Sequence, residues 1–565
     1  MTCSAKNAFP WLLLAALPSL LVGCTGPRER VMLPNGSAQR PNILVLVADD
    51  LGYSDLGFLG SEIRTPHLDA LAASGTVLTN FHVGPACSPT RAMLLSGVDA
   101  HPAGLGSMSG EGDARQFEQP GYEGFLSDRV VTVARLLRDA GYATAMVGKW
   151  HLGEWQEVGP HRRGFERSFV LPGAGASHFA DAQPLGDTDV PAQYWEDGEP
   201  VGLPADFFSS DFYTDRLIRY LDEAHEKGCP FFAYAAYTAP HWPLQATDDD
   251  IDRYRGAYDD GWDALRERRV AGLVRAGVIP PDLAVPARLP FVPAWESLSA
   301  EERRIEARKM EIFAAMVENL DANIGRLLDH LKEIGEYENT LVLFFSDNGA
   351  EGNPIVGAPW TWKGFDNRLA NMGRVGSYVS YGPGWAQATT APFRLFKSFP
   401  TEGGIRTPAI AVLPGGGSAE TGLRDAFVSV KDVVPTALEL AGVEHPGGSY
   451  RGRPVAALEG ASMLAFLRGQ TNAVHPDDYS MGWELFGRRA VLQGDWKLVW
   501  LWEPYGPERW ALYDLARDPA ETDDLTARNP EKRQELLALW DEYAERNGVI
   551  LPSRDTSYAL ETLDR

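Results

Sequence analysis

Pro41-Asn42-Ile43-Leu44-Val45-Leu46-Val47, with Asp49 and Asp50 close behind, is the stretch from which the fold is read. Its apolar residues are continuous rather than alternating, so both faces need cover, and the run suits a central strand of a parallel sheet. The same form recurs. Gly141 to Val147 delivers Gly148-Lys149-Trp150-His151. Pro230 to Tyr237 delivers Thr238-Ala239-Pro240-His241, and Thr340 to Phe345 delivers Ser346-Asp347-Asn348-Gly349. In open α/β sheets, ligand groups collect beyond the carboxyl ends of the strands. Helical spacing fills the intervals: a start at Thr65-Pro66, then Val130 to Ala140, Asp211 to Glu226, Ala300 to Ile334 and Val430 to Gly442. The expected class is therefore α/β, a large mixed and mostly parallel sheet flanked by helices. Toward the C-terminus the pattern changes. Ala490 to Trp500 and Trp510 to Asp514 read as the two strands of a hairpin-like pair, and Leu525 to Asn547 as a closing helix, hence a smaller α+β domain. Residues 98–127, rich in Gly, read as a long loop over the site. Residues 248–300 read as an acidic irregular excursion, and 353–400 as a loop wall.

The chain has 565 residues with 52 Lys and Arg against 77 Asp and Glu, a formal net charge of −25. Such a balance argues against nucleic acid as a partner and favours a self-repelling, soluble surface. An anionic protein that takes an anionic substrate needs a local island of positive charge. Phe9 to Gly23 is an apolar run preceded by Lys6 and too short for a membrane span, so residues 1–23 read as a signal peptide. Its ending, Leu21-Val22-Gly23-Cys24, resembles the bacterial lipoprotein box. The expectation is export to the periplasm, lipid attachment at Cys24 as the only membrane contact, and a polar tether over 24–40.

Cys87-Ser88-Pro89-Thr90-Arg91 opens a helical pattern that runs on through Ala92-Met93-Leu94-Leu95-Ser96 to Gly97, with Thr79-Asn80-Phe81-His82 before it. A lone cysteine at a helix start is usually a small buried hydrophobe. An acidic pair after a strand, taken singly, is more often a cap or turn. The combination is more specific. C-x-P-x-R with these flanks resembles the signature of the sulfatase family, of the alkaline phosphatase-like superfamily. The resemblance runs from Pro41 into Gly494-Asp495-Trp496-Lys497-Leu498 and Leu512-Tyr513-Asp514-Leu515. It implies a catalytic domain over 41–445 and a C-terminal subdomain over 446–565. Ala239-Pro240-His241-Trp242-Pro243-Leu244-Gln245 and Pro392-Phe393-Arg394-Leu395-Phe396-Lys397-Ser398 look most like bacterial arylsulfatases.

The resemblance implies a chemistry. Cys87 is converted to formylglycine by a formylglycine-generating or anaerobic sulfatase-maturing enzyme, and the aldehyde hydrate attacks a sulfate monoester of a small organic alcohol or phenol. Asp49, Asp50, Asp347, Asn348 and the modified Cys87 match the metal-binding positions, usually for one calcium ion. Magnesium stays open, since both ions take oxygen ligands. Arg91 holds the formylglycine, Lys149 binds sulfate, and His151 orients the diol and takes its proton. His241 and Lys397 assist the leaving oxygen, one of them as general acid. Lys149 and His151, two apart at a strand end, are expected on one face. His101 is expected near the site. Of the four cysteines, Cys3 leaves with the signal peptide and Cys229 is expected to have no partner, so no disulfide is expected. The alternative is a phosphodiesterase or phosphonate monoester hydrolase of the same superfamily. A third reading, a sulfate-ester binding protein without turnover, is disfavoured because every expected catalytic residue type is present.

Overall fold

The run at Asn42 to Ala48 is the central strand of the molecule, and every one of its residues is buried. The computed structural model describes residues 31–32, 38–109, 111–355, 361–415 and 421–557. The leader and Cys24 lie outside them. The main sheet contains, in chain order, β1 (Asn42–Ala48), β2 (Thr76–His82), β3 (Ala143–Lys149), β4 (Arg167–Leu171), β5 (Tyr194–Glu196), β6 (Glu199–Val201), β7 (Phe231–Ala236), β8 (Thr340–Ser346), β9 (Arg406–Val412), β10 (Gly422–Arg424) and β11 (Val428–Ser429). Their spatial order is β10-β2-β9-β8-β1-β7-β3-β4-β5-β6, with β11 also paired to β2. β8, β1, β7, β3 and β4 form the parallel core. Helices on both faces explain the unbroken apolar runs. Each fully buried aliphatic side chain of β1 stabilises the fold by about 1.5–3 kcal/mol.

Strand direction decides where the chemistry collects. The parallel core strands end at one edge of the sheet, so the residues after β1, β3, β7 and β8 meet there. β9 runs antiparallel to both β8 and β2. Consequently β2 points the same way as the core and also ends at this edge, while β9 enters from it. The segment after β2 (with Cys87) and the segment before β9 (with Lys397) are brought to the same place.

The α-helices of five residues or more among the described residues are α1 (Pro66–Ser74), α2 (Cys87–Ser96), α3 (Val133–Asp139), α4 (Ser209–Glu226), α5 (Asp248–Asp252), α6 (Gly261–Arg275), α7 (Ala300–Glu333), α8 (Gly382–Thr389), α9 (Val433–Ala441) and α10 (Pro530–Asn547). α2 is buried along its whole length and closes at Gly97, whose φ of 72° needs no Cβ. α7 opens with a capping box between Ser299 and Glu302. The excursion expected at 248–300 contains two helices, α5 and α6, and is irregular over most of 276–299. Thr247 caps α5, and Trp262, Leu265 and Leu273 of α6 are buried, with Trp262 stacked edge-on against Trp295 and Trp385. The acidic surface residues there hide this apolar spacing.

The C-terminal part is an antiparallel sheet of β12 (Ser480–Leu485), β13 (Arg488–Gln493), β14 (Trp496–Trp500) and β15 (Ala511–Asp514). The expected single strand over 490–500 is two strands, because Gly494, at φ 55°, turns the chain between β13 and β14. Leu536, Trp540 and Tyr543 of α10 pack on Val491, Leu498 and Leu512. The Gly-rich loop 98–127 reaches α2 through Ser109 N–H to Ser88 Oγ at 3.1 Å and the segment after β3 through Leu126 N–H to the Leu152 carbonyl at 3.1 Å, and it also binds the C-terminal segment, with Gln116 donating to the Ile550 carbonyl at 2.7 Å. Cys229 is disulfide-bonded, which corrects the expectation of a lone thiol.

Candidate active site

Cys87 is the first residue of α2, and its Sγ lies 3.4 Å from Asp49 Oδ1 and 3.9 Å from Asp50 Oδ1. The helix N-terminus supplies unpaired backbone N–H groups and the positive end of the helix dipole. Asp49 and Asp50 follow β1, and Asp347 and Asn348 follow its parallel neighbour β8, in a register that sets Ala48 opposite Ser346. Asp50 takes a left-handed φ of 67°, which turns its carboxylate back toward Asn348. Asn348 Nδ2 donates to Asp50 Oδ1 at 2.7 Å.

Each expected cation is paired. Lys149 Nζ is 2.7 Å from Asp49 Oδ2. Arg91 donates from Nε and Nη2 to Asp347 Oδ2 at 2.9 and 2.6 Å, and from Nη1 to the Lys149 carbonyl at 2.9 Å. Lys397 Nζ donates to the Asp50 oxygens at 2.7 and 2.9 Å and lies 3.5 Å from Glu351. His241 Nε2 is 3.5 Å from Asp50 Oδ2. All these residues are buried.

Lys149 and His151 do converge, but not by strand alternation. β3 ends at Lys149, and His151 takes φ 53°, its N–H bonding to the Pro172 carbonyl at 3.0 Å. Burial, then Lys149 and Arg91, hold the His151 imidazole well below its usual range, so it is neutral. Its buried Nδ1 has no hydrogen-bond partner. Burial and Lys149 likewise push the His241 pKa well down. His241 Nδ1 sits 2.5 Å from the Trp242 carbonyl, which only accepts, so Nδ1 carries the proton and Nε2 is bare. For Asp49, burial works against the charge, but Lys149 and Arg91 outweigh it and lower the pKa. The Cys87 thiol is pushed well up by burial, then by Asp347 and Asp49.

His101 is not part of this cluster. Its ring is held between Asp99 at 2.8 Å and Glu484 at 3.4 Å, at the seam with β12, and packs edge-on to Tyr122 and Tyr543. Two local carboxylates and the aromatic seam account for its burial. Three neighbours escaped sequence reasoning. Glu351 lies beside Lys397; its position directly after Asp347-Asn348-Gly349-Ala350 was the available signal. Tyr234 Oη, 3.5 Å from Arg91 Nη1, looks like an ordinary strand aromatic. His178, bonded to Ser209 Oγ at 2.7 Å and to the His241 carbonyl at 3.1 Å, lies in a loop with no periodicity to mark it.

The donor set fits a hard divalent cation. Asp49, Asp50, Asp347 and Asn348 offer oxygens, and Asn348 Oδ1 is buried without a partner. Ligand atoms of Asp49, Asp50, Cys87 and His241 all lie within 4.8 Å of one another. Charge adds a second reason. Asp49, Asp50 and Asp347 balance Lys149, Lys397 and Arg91 one for one, and both imidazoles are neutral, so the side chains alone are not a net positive island. A divalent cation would make them one.

Residues 41–443 match the family described as Sulfatase, and residues 393–545 match N-sulphoglucosamine sulphohydrolase, C-terminal. An uncharacterized sulfatase of Schizosaccharomyces pombe is 44% identical over 537 residues, 92% of this chain and 96% of that one. The arylsulfatase of Klebsiella aerogenes is 40% identical over 464 residues, covering 81% of this chain and 95% of its own length. The crystal structure of Ps i-CgsB superposes with a TM-score of 0.64 at 24% identity, over 93% of this chain and 98% of that one, a likeness of fold. With a family match over most of its length and relatives at 40% and 44% identity, this chain belongs to the sulfatase family, on the alkaline phosphatase-like fold.

Proposed function

We propose that the chain hydrolyses aryl or alkyl sulfate monoesters to a phenol or alcohol and sulfate, using a formylglycine formed at Cys87 beside a divalent cation, calcium in our reading. The coarser statement stands on family membership: the chain is a sulfuric ester hydrolase. The observation that carries the finer one is the packing of Asp49, Asp50, Asp347, Asn348, Lys149, Arg91 and Lys397 around one buried cysteine at a helix N-terminus. Unmodified, that cysteine is a weak nucleophile, because burial and two carboxylates keep it protonated. Its surroundings suit an uncharged residue with hydroxyl groups better than a thiolate.

Formylglycine, once hydrated, supplies one hydroxyl to attack sulfur and a second whose deprotonation lets sulfate depart. Asp49, Asp50, Asp347 and Asn348 would hold the cation, which would offset charge on the sulfate and polarise the ester. Arg91 fixes Asp347 and the Lys149 carbonyl from inside α2. Lys149, at the edge of the carboxylate cluster, faces the sulfate oxygens. His151, neutral and with an unpartnered Nδ1, accepts the proton released when sulfate leaves. The bare Nε2 of His241 is a proton acceptor at rest, so the donor to the leaving oxygen is Lys397. Aryl sulfates head the substrate class, since the Klebsiella aerogenes relative is an arylsulfatase. The proposal includes export by residues 1–23, lipid attachment at Cys24, and a maturing enzyme that modifies Cys87.

The test compares kcat/KM for an aryl sulfate and the matching aryl phosphate diester on matured protein, with Cys87→Ala as blank. A strong preference for sulfate, lost in the blank, is expected. Preference for the diester would move the chain to the phosphodiesterase reading, and full activity in Cys87→Ala would overturn the nucleophile.

A further inference from the structure

We infer that the cavity behind His151 and His241 is a leaving-group subsite for single-ring substrates bearing an ammonium group, with Glu154 as its selecting residue. The inference rests on the hydrolytic reading above and deepens it. The cavity measures about 290 Å³ and is lined in part by Glu154, Pro172, Ala174, Leu185 and Trp195. That is the small end of ligand sites, with room for one ring rather than an oligosaccharide.

Its wall is also a wall of the active site. Pro172 to Gly175 follows β4, the parallel neighbour of the strand that carries Lys149. The Pro172 carbonyl receives the His151 N–H at 3.0 Å. A Cβ built on Gly175 would lie 3.4 Å from the His241 ring, in van der Waals contact, so the backbone here runs directly beside the imidazole. Leu185 belongs both to the cavity lining and to the apolar cluster of Trp242, Ile355 and Tyr378 next to His241.

The lining side chains are apolar apart from Glu154 and Gln193, whose amide is bonded to the Tyr194 and Val201 carbonyls. Glu154 is its one charged side chain, at the rim. A Cβ on Gly173 would stand only 3.2 Å from Glu154 Oε1, so the glycine makes room for the carboxylate to lie over the backbone. No cation or hydrogen-bond donor among the described residues pairs with it, and partial burial alone raises its pKa. A purely apolar leaving group seated here would strip water from that carboxylate without replacing its hydrogen bonds. An anionic one would be repelled. An ammonium group at the end of the ring remote from the sulfate satisfies the carboxylate, while the sulfate faces Lys149 and the cation site.

The experiment measures kcat/KM on matured full-length protein for para-aminomethylphenyl, para-methylphenyl and para-carboxyphenyl sulfate. Wild type should favour the ammonium substrate over the methyl one by about tenfold, the low end for a charge-assisted hydrogen bond at a solvent-open rim. The carboxylate substrate should rank last. Glu154→Gln should bring the ammonium-to-methyl ratio close to one, and Glu154→Lys should reverse the order of the charged pair. An unchanged ratio in a folded Glu154→Gln protein overturns the subsite. If wild type turns over none of the three, the hydrolytic reading falls instead. The subsite is then judged by thermal protection with para-aminomethylphenol, which should raise Tm in wild type and not in Glu154→Gln; equal protection overturns it.

Discussion

Lys497→Met should destabilise the protein strongly although the residue sits in the C-terminal sheet. Lys497 lies on β14 with its ammonium fully buried, 2.6 Å from Glu402 Oε1 and 2.8 Å from Glu521 Oε1. Glu402 precedes β9 and also meets His82, at the end of β2, at 3.2 Å and Arg406 at 3.5 Å. Removing the ammonium leaves two carboxylates facing each other without water. Breaking one partner out of a buried ion pair costs about 3–5 kcal/mol. The lower end applies here, because Arg406 and His82 still serve Glu402, while Glu521 loses its nearest cation. With roughly 500 residues unfolding together, 1 kcal/mol corresponds to about 1 °C, so Tm should fall by about 3 °C. The double change Lys497→Met with Glu521→Gln should recover most of that loss, since a matched deletion of both charges avoids the unpaired carboxylate. The assay is a double-mutant cycle by calorimetry at neutral pH. A single change costing below about 1 kcal/mol, or a double change as costly as the single one, would refute the reasoning. The seam matters for function because it holds both the strand leading to Cys87 and the start of the strand that follows Lys397.

Chelation should abolish turnover and lower Tm, and calcium at about a hundred times its Kd should restore about 2.7 kcal/mol. Asn348→Ala should weaken calcium binding by roughly ten- to a hundredfold, read by titration calorimetry; undiminished affinity would remove Asn348 from the ligand set. Lys397→Ala should cost about 10²–10⁴-fold in kcat for alkyl or unactivated phenyl sulfates, and far less for nitrophenyl sulfate, because a good leaving group needs no proton. An equal loss across leaving groups would argue against donation by Lys397. For His101, burial opposes the charged form, but hydrogen bonds to Asp99 and Glu484 prevail and push its pKa up from 6.5 to about 9. A raised pKa stabilises below the unfolded value, so a contribution of about 3 kcal/mol at most is present below pH ~6.5 and disappears as pH rises through ~9. His101→Gln should therefore unfold more easily than wild type at about pH 6 and match it near pH 10. A gap that persists at high pH would assign the loss to packing.

The order of elements was legible because it rests on local patterns. Continuous apolar runs at Asn42 to Ala48 and Thr340 to Ser346 mark strands covered on both faces, and the polar residues just beyond them mark the ligand edge. Where a local pattern is diluted, reading failed. The acidic residues around α5 and α6 obscure the buried Trp262 and Leu265, and the turn at Gly494 lies inside one long β-prone run. The resemblance carried by Cys87 to Arg91 named the cluster that the folded chain assembles from segments near residues 50, 90, 150, 240, 350 and 400. The chain pattern alone left undecided how those charges pair. Lys149 meets Asp49, Lys397 meets Asp50 and Arg91 meets Asp347 because the direction of β9 and the register of β1 with β8 bring them together. The same topology sets His101 against Glu484 and leaves Glu154 alone beside an apolar cavity. By itself, then, the sequence determined the α/β class, the edge at which chemistry collects and the residue types there. Pairing, burial and tautomer were decided by the tertiary structure, because they depend on distances between groups hundreds of residues apart, which no local periodicity encodes.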